Sequence, residues 1–461
     1  MVKIKIILVL TASSLLLVSC TKSRIELNCN LPVINTTTEL KSENQNIDLY
    51  VDGSGSMLGY VKKDTSNYIQ TIEALNNAID PQEGGSTIEY HRLGQDKPIS
   101  RSDYRQAQLP EFYDGTNSKF PAVSSQINSA ITPTTENQLI VVVTDLEQND
   151  GDIDLLSEAI KQHYYNNNRK YAVGIWAIKS QFEGKVYSPQ NDAINFYYST
   201  TNGEIDTYRP FYVLFIGTKE DIKYYFNRLA SLAPELTAAS KLLLFSPDNI
   251  ITEVISLPEE QNLPDTPSAI TRVGRLYEGS NLIMNSPNNP PKQNYDLLKI
   301  IERKIKDNPL TITYSIGFSQ PEFSLGIDEN SLSTENQVSI VEKTQFTQQP
   351  QNSSFSNGIE VNKWEINPEN NNLSYSTNIN GQNLTNGQIY NFEVNVMIKD
   401  LPEPEWWSEW DWNTRENEND GSKTHNILSF LRLLKLQTLE LMTKENNPPV
   451  VGKLCFAIQK E

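Results

Sequence analysis

The sequence predicts an α/β fold, a doubly wound and mostly parallel Rossmann-like sheet, followed by a β-rich half and a C-terminal helix. Three observations carry this. Between residues 47 and 231, short apolar β-prone runs alternate with stretches of helical periodicity, the grammar of parallel strands joined by crossover helices. Beyond Ser231, short strands are separated by turns rich in Asn, Pro and Ser. Two of the apolar runs in the first half stop at an aspartate, Asp52 and Asp145, where open α/β sheets present their ligands.

Taken in order, the chain opens with Lys3, Lys5 and the apolar run Ile6 to Val18, too short for a permanent membrane span. The closing Leu17-Val18-Ser19-Cys20 resembles a bacterial lipoprotein signal. That implies a signal peptide over 1–19, lipid on Cys20, a polar tether over 20–46 and a cell-envelope location. The alternative is an ordinary secretory peptide with an incidental cysteine. Cys29 and Cys455 then either pair in an oxidising compartment or remain two buried thiols. A formal charge of −18 offers no basic footprint for nucleic acid and disfavours broad binding to anionic lipid.

The folded part is expected from Ile47. Leu49-Tyr50-Val51 reads as a buried strand ending at Asp52, with Ser54 and Ser56 at the next alternate positions and glycines that let the backbone turn. Three oxygen side chains at that spacing can converge on one hard cation, Mg2+, Mn2+ or Ca2+ rather than zinc. A glycine-serine turn capping the next helix is the competing reading. Tyr68, Ile72, Leu75 and Ile79 predict a helix over 66–79, and Thr87 to Leu93 alternates like a strand. After Tyr113-Asp-Gly-Thr-Asn117, the spacing of Phe120, Val123, Ile127 and Ile131 predicts a second helix. Leu139 to Thr144 is the strongest buried-strand signal and ends at Asp145. Asp150 to Asp154 lacks EF-hand spacing, and Asp154 reads as the cap of a helix over 155–163. Strands over 171–178 and 211–217, an insertion over 184–200 and a helix over 220–229 complete the half.

Asp-Gly-Ser-Gly-Ser-Met at the end of an apolar strand resembles the metal-ion-dependent adhesion site of von Willebrand factor type A (VWA) domains. The resemblance covers about residues 46–231. It implies that Thr116, or Ser118 second, supplies a third hydroxyl from another loop and that Asp145 supplies the last acid. Taken alone, Thr116 or Ser118 reads equally as a helix cap. In the family the hydroxyls touch the metal and the acids act largely through water and hydrogen bonds. Ser54, Ser56 and Thr116 would then be direct ligands, with Asp52 and Asp145 orienting them. The family commonly has glycine after the last aspartate, where this chain has Leu146-Glu147.

The β-rich half is expected over 232–402, with strands over 241–245, 250–255, 310–318, 338–342, 364–366, 373–377 and 390–398, and one helix over 295–305. An immunoglobulin-like sandwich is one arrangement of such strands. Over 403–461 come Trp406, Trp407, Trp410 and Trp412, read either as a binding surface or as packing, then a helix over 424–442 and a last strand carrying Cys455.

Enzyme signatures are missing. Ser54 stands where a phosphatase of the haloacid dehalogenase type has its second aspartate. Neither a phosphate loop nor Gly-x-Ser-x-Gly occurs, and His91, His163 and His425 are isolated in sequence. The expectation is a non-enzymatic, lipid-anchored protein that binds a divalent cation and, through it, an exposed Asp or Glu of a protein partner. The alternatives are a structural envelope component with a stabilising metal and a metal-dependent hydrolase.

Overall fold

Asp52 ends a strand with a parallel neighbour on each side. This strand, β1 (Asn46–Asp52), pairs with β2 (Thr87–Leu93) and β3 (Gln138–Thr144). The computed structural model describes residues 29–34, 40–79, 85–132, 135, 137–147, 150–166, 170–188, 191–200, 203–259, 262–263, 265–274, 295–306, 308–341, 351–352, 358–412, 420–444 and 448–461. The expected signal peptide and Cys20 lie outside them.

In the same sheet, β4 (Tyr171–Ser180) lies between β7 (Arg209–Thr218) and β8 (Lys241–Phe245), in the order β2-β1-β3-β7-β4-β8. The β7 strand is antiparallel to both β3 and β4, and β8 is antiparallel to β4. The sheet is therefore mixed, and the expectation of a mostly parallel one is met only in the β2-β1-β3 portion. The reason is the return from β4, which runs through a hairpin of β5 (Glu183–Ser188) and β6 (Asn191–Ser199) instead of a crossover helix.

Strand periodicity sorts the core into two layers. Leu139, Val141 and Val143 of β3 join the apolar cluster of α1 (Asn67–Ala78) and α4 (Lys219–Leu232). Ile140 and Val142 join the cluster of α3 (Asp150–Ile160). Two short helices, α2 (Arg101–Tyr104) and α5 (Pro234–Ala238), complete this half. Because β8 belongs to the first sheet, that half reaches Phe245, beyond the expected boundary at 231.

The second half carries a six-stranded sheet, in the order β13-β12-β16-β19-β10-β9, and a three-stranded one, β11-β15-β14. These strands are β9 (Ile270–Gly274), β10 (Tyr295–Ile300), β11 (Leu310–Gly317), β12 (Leu332–Val341), β13 (Gln351–Asn352), β14 (Ile359–Asn367), β15 (Asn372–Ile379), β16 (Ile389–Ile398) and β19 (Val450–Lys460). Tyr314 of β11 stands edge-on to Phe456 of β19 and donates its hydroxyl at 2.7 Å to buried Asp296 of β10. Arg272 pairs with both oxygens of Asp296, at 2.8 and 2.7 Å. The buried charge is thus matched by geometry suited to a carboxylate.

Four expected elements differ. The helix expected over 155–163 begins at Asp150, so Asp154 lies inside α3 and does not cap it. Residues 295–305 begin with a strand, β10, because Leu297 and Leu298 are both fully buried within a sheet, and a short apolar run does not distinguish helix from strand. Residues 250–255 form only an isolated bridge, Ile255 to Gly452. The helix expected from Phe120 is a loop with one 3-10 turn at Ile127–Ala130. Pro121 disfavours helix before it, and Ser124 and Ser125 are weak helix formers.

The described part of the expected tether is docked rather than free. Ser42 donates its N–H and hydroxyl to Asp221 at 2.8 and 3.0 Å, and Tyr225 donates to buried Gln45. Cys29 is disulfide-bonded to Cys455 in β19.

The C-terminal segment packs back on the first half. It comprises α6 (Trp406–Glu409), β17 (Asp411–Trp412), β18 (Thr424–His425) and α7 (Ile427–Thr443). Gln437 of α7 donates to the Ser157 hydroxyl of α3 at 2.7 Å. All four tryptophans are buried, Trp407 completely and close to Phe245 of β8, so they pack rather than present a surface. No helix among the described residues is long and apolar enough to cross a membrane. Trp407→Ala is expected to cost about 3–5 kcal/mol in urea unfolding, the usual cost of deleting a core aromatic; an unchanged midpoint would contradict its place in the core.

Candidate metal centre

Adjacent parallel strands of matched register end side by side, so β1 and β3 deliver Asp52 and Asp145 to one rim of the sheet. Asp52 is fully buried and well supplied with donors. One oxygen accepts the Ser54 N–H at 2.9 Å, and the other accepts the hydroxyls of Thr144 at 2.9 Å and Ser125 at 2.8 Å. The first bond makes an Asx-type turn that aims the loop. Ser54 and Ser56 then meet hydroxyl to hydroxyl at 3.0 Å, and the chain continues into a 3-10 helix over Gly55–Val61.

Two glycines make this path available. A Cβ on Gly53 would lie 2.5 Å from the Arg92 side chain, and one on Gly59 would lie 2.4 Å from the Phe182 ring. Buried Arg92 uses the space to donate to the carbonyls of Gly53 at 2.8 Å and Phe112 at 2.9 Å.

Asp145 is served differently. Its Oδ1 accepts the Glu147 N–H at 3.3 Å, and the Ser56 side chain favours the charged form. Its Oδ2 is buried with no hydrogen-bond partner among the described residues, 4.0 Å from Arg209 Nη2. That guanidinium instead donates to Glu147 at 2.7 Å and to the carbonyls of Gly421 and Lys423. Burial, and then the Asp52 charge, push the Asp145 carboxyl up to about 7 against the opposing pull of Arg209. Burial raises Glu147 as well, with Arg209 again opposing.

Leu146 adopts the left-handed conformation, φ 54°. Its side chain lies in the α3 cluster, and its N–H reaches Thr144 Oγ1 at 3.2 Å. Burying leucine, at about 1.5–3 kcal/mol, outweighs the 1–2 kcal/mol such a backbone costs.

Of the residues expected at the site, Asp52, Ser54, Ser56 and Asp145 come together. Thr116 does not join them. It is exposed, and its hydroxyl donates at 2.6 Å to Asp114, which also accepts its N–H. Ser118 is exposed too. The hydroxyl that reaches Asp52 from this stretch is Ser125, brought in by the loop that replaces the expected helix. Thr144, as the last hydroxyl before Asp145, was legible in position, whereas Arg209 lies far away in sequence and gave no signal.

The donor set is oxygen only and includes one buried carboxylate oxygen with no hydrogen-bond partner among the described residues. That chemistry fits a hard dication such as Mg2+. No protein-family model, no curated protein and no solved structure matches this chain.

The raised Asp145 carboxyl gives a signed pH dependence. Folded, it holds its proton up to about pH 7; unfolded, it releases it near the ordinary aspartate value of 3.8. Its stabilising contribution is full below about 3.8 and is lost as pH rises through about 7. In chelator, wild-type thermal stability is therefore expected to fall between pH 5 and 8 relative to Asp145→Asn. Parallel curves for the two proteins would contradict the shift.

Proposed function

We propose that the first half is a VWA-type, doubly wound domain whose rim binds a divalent cation, Mg2+ or its stand-ins Mn2+ and Ca2+. Through that ion it takes up an Asp or Glu side chain of a protein partner. Ser54 and Ser56 are the direct hydroxyl ligands and Asp145 the neighbouring acid. Asp52 is an outer acid oriented by Ser125 and Thr144. In this reading the protein is a non-enzymatic adhesion or scaffold lipoprotein of the bacterial cell envelope, anchored by lipid at Cys20, and its β-rich half is an immunoglobulin-like spacer.

The observation that carries the proposal is the buried Asp145 Oδ2, which has no hydrogen-bond partner among the described residues, beside the paired hydroxyls of Ser54 and Ser56. Charge supports it as well. Once a dication displaces the proton that Asp145 holds, the three carboxylates (Asp52, Asp145, Glu147) and two guanidiniums (Arg92, Arg209) sum to one net negative charge. A dication would turn that into one net positive charge, which an incoming carboxylate would balance. The bound ion supplies an electrophilic position for that carboxylate, and exposed Gly55 leaves the loop open to solvent.

One feature favours a second reading, a metal that only stabilises the assembly. Arg209 and Glu147 tie the rim to the C-terminal segment at Gly421, Lys423 and His425. Calorimetry with MgCl2 separates the residue roles. Ser125→Ala is expected to weaken Mg2+ binding about 10- to 100-fold, the usual cost of an outer-shell partner, while Thr116→Ala leaves it unchanged. The reverse pattern, or no saturable uptake by wild type, would overturn the assignment. Retention of an envelope protein in Mg2+ that Ser54→Ala abolishes without unfolding supports adhesion; equal retention by both forms supports the stabilising role.

A further inference from the structure

We infer a second metal centre, of a different chemical class, on the face of β1 and β2: Asp48, Glu89 and His91 form a site for a borderline divalent cation of the zinc type. Their ligand atoms all lie within 4.8 Å of one another, with His91 Nε2 at 3.6 Å from Asp48 Oδ1 and 3.7 Å from Glu89 Oε2.

Strand register creates the cluster. Asp48 faces Glu89 directly, and Tyr50 faces His91, in the parallel pairing of β1 with β2. Residues two apart share a face, so the histidine lies beside the acid pair. Like charges directly opposite in a sheet are destabilising and call for a cation between them.

A protonated His91 would form ion pairs of 3.6 and 3.7 Å with the two acids, longer than hydrogen bonds, whereas the neutral imidazole leaves the Nε2 lone pair to a metal. His91 Nε2 is buried and has no hydrogen-bond partner among the described residues. An ion touching three atoms at these separations would sit roughly 2.1–2.4 Å from each, close to zinc distances to nitrogen and carboxylate oxygen. Glu89, with 65% of its side chain exposed, is free to close the remaining tenths of an ångström.

The surroundings fix the other two ligands. Gln138 donates at 2.8 Å to Asp48 Oδ2 and leaves Oδ1 toward the histidine. Tyr50 stacks on the imidazole, with ring centroids 4.4 Å apart and planes 15° apart. Neighbours that orient a carboxylate and an imidazole are what a metal site requires beyond its ligands. One nitrogen and two carboxylates also set this centre apart from the oxygen-only rim. Asp48 lies four residues before Asp52 on one strand, about 13 Å away, too far for one ion to serve both.

The test is zinc titration of the full chain by calorimetry, read in parallel by nitrogen-15 NMR of the imidazoles, of which there are three. One saturable zinc site is expected, with the His91 Nε2 resonance moving and those of His163 and His425 still. His91→Ala should abolish it. Glu89→Ala, at an exposed position that does not endanger folding, should weaken it at least tenfold. Ser54→Ala should leave it intact, so failure here is separable from failure of the magnesium site. Absence of saturable zinc binding, or binding unaffected by both His91→Ala and Glu89→Ala, would overturn the inference.

Discussion

Two carboxylates buried side by side are the constraint around which this protein is arranged. Asp52 and Asp145 end neighbouring strands because β1 and β3 are parallel and in register, and both are shut away from water. Buried charge is costly unless it is matched, so each acid has to be answered. Asp52 is answered by hydrogen bonds from Ser54, Thr144 and Ser125, drawn from three separate loops or strands. Asp145 is answered only in part, with Arg209 held 4.0 Å off and committed to Glu147. The difference between the two acids is the chemical content of the site.

The same constraint reaches into the second half. Arg209 is held by carbonyls of Gly421 and Lys423, Tyr212 donates its hydroxyl to Thr424, and Glu147 accepts the His425 N–H. Residues of the C-terminal segment thereby help to hold the wall behind the rim. Packing of α7 on α3 and burial of the tryptophans around β8 and α7 extend that contact into one apolar cluster shared by both halves. A change in the charge at the rim would be felt first through Arg209 and the segment it holds.

The legibility of these features in sequence follows their range. The acids and serines were readable because strand end, turn and hydroxyls are consecutive, and Leu139 to Thr144 announces a buried strand by composition alone. The β-rich half was readable as a set of strands, since β11 and β14 alternate buried and exposed positions over much of their length. Thr116 was misplaced because helical spacing from Phe120 to Ile131 outweighed Pro121 in the reading, and the loop that forms instead carries Ser125 to Asp52. Strand β10 was misread as helix because Leu297 and Leu298 are buried on opposite faces, which erases the alternation that marks a strand. Arg209 and the Asp48, Glu89 and His91 cluster depend on sheet register, which no local pattern reveals.

The central claim is that the partly answered Asp145 and the paired serines await a cation. Crystals grown or soaked with MnCl2 and measured at a wavelength where manganese scatters anomalously would test it most directly. The account predicts an anomalous peak between Ser54, Ser56 and Asp145. A map with no peak at that rim, the protein being folded and manganese in excess, would contradict it.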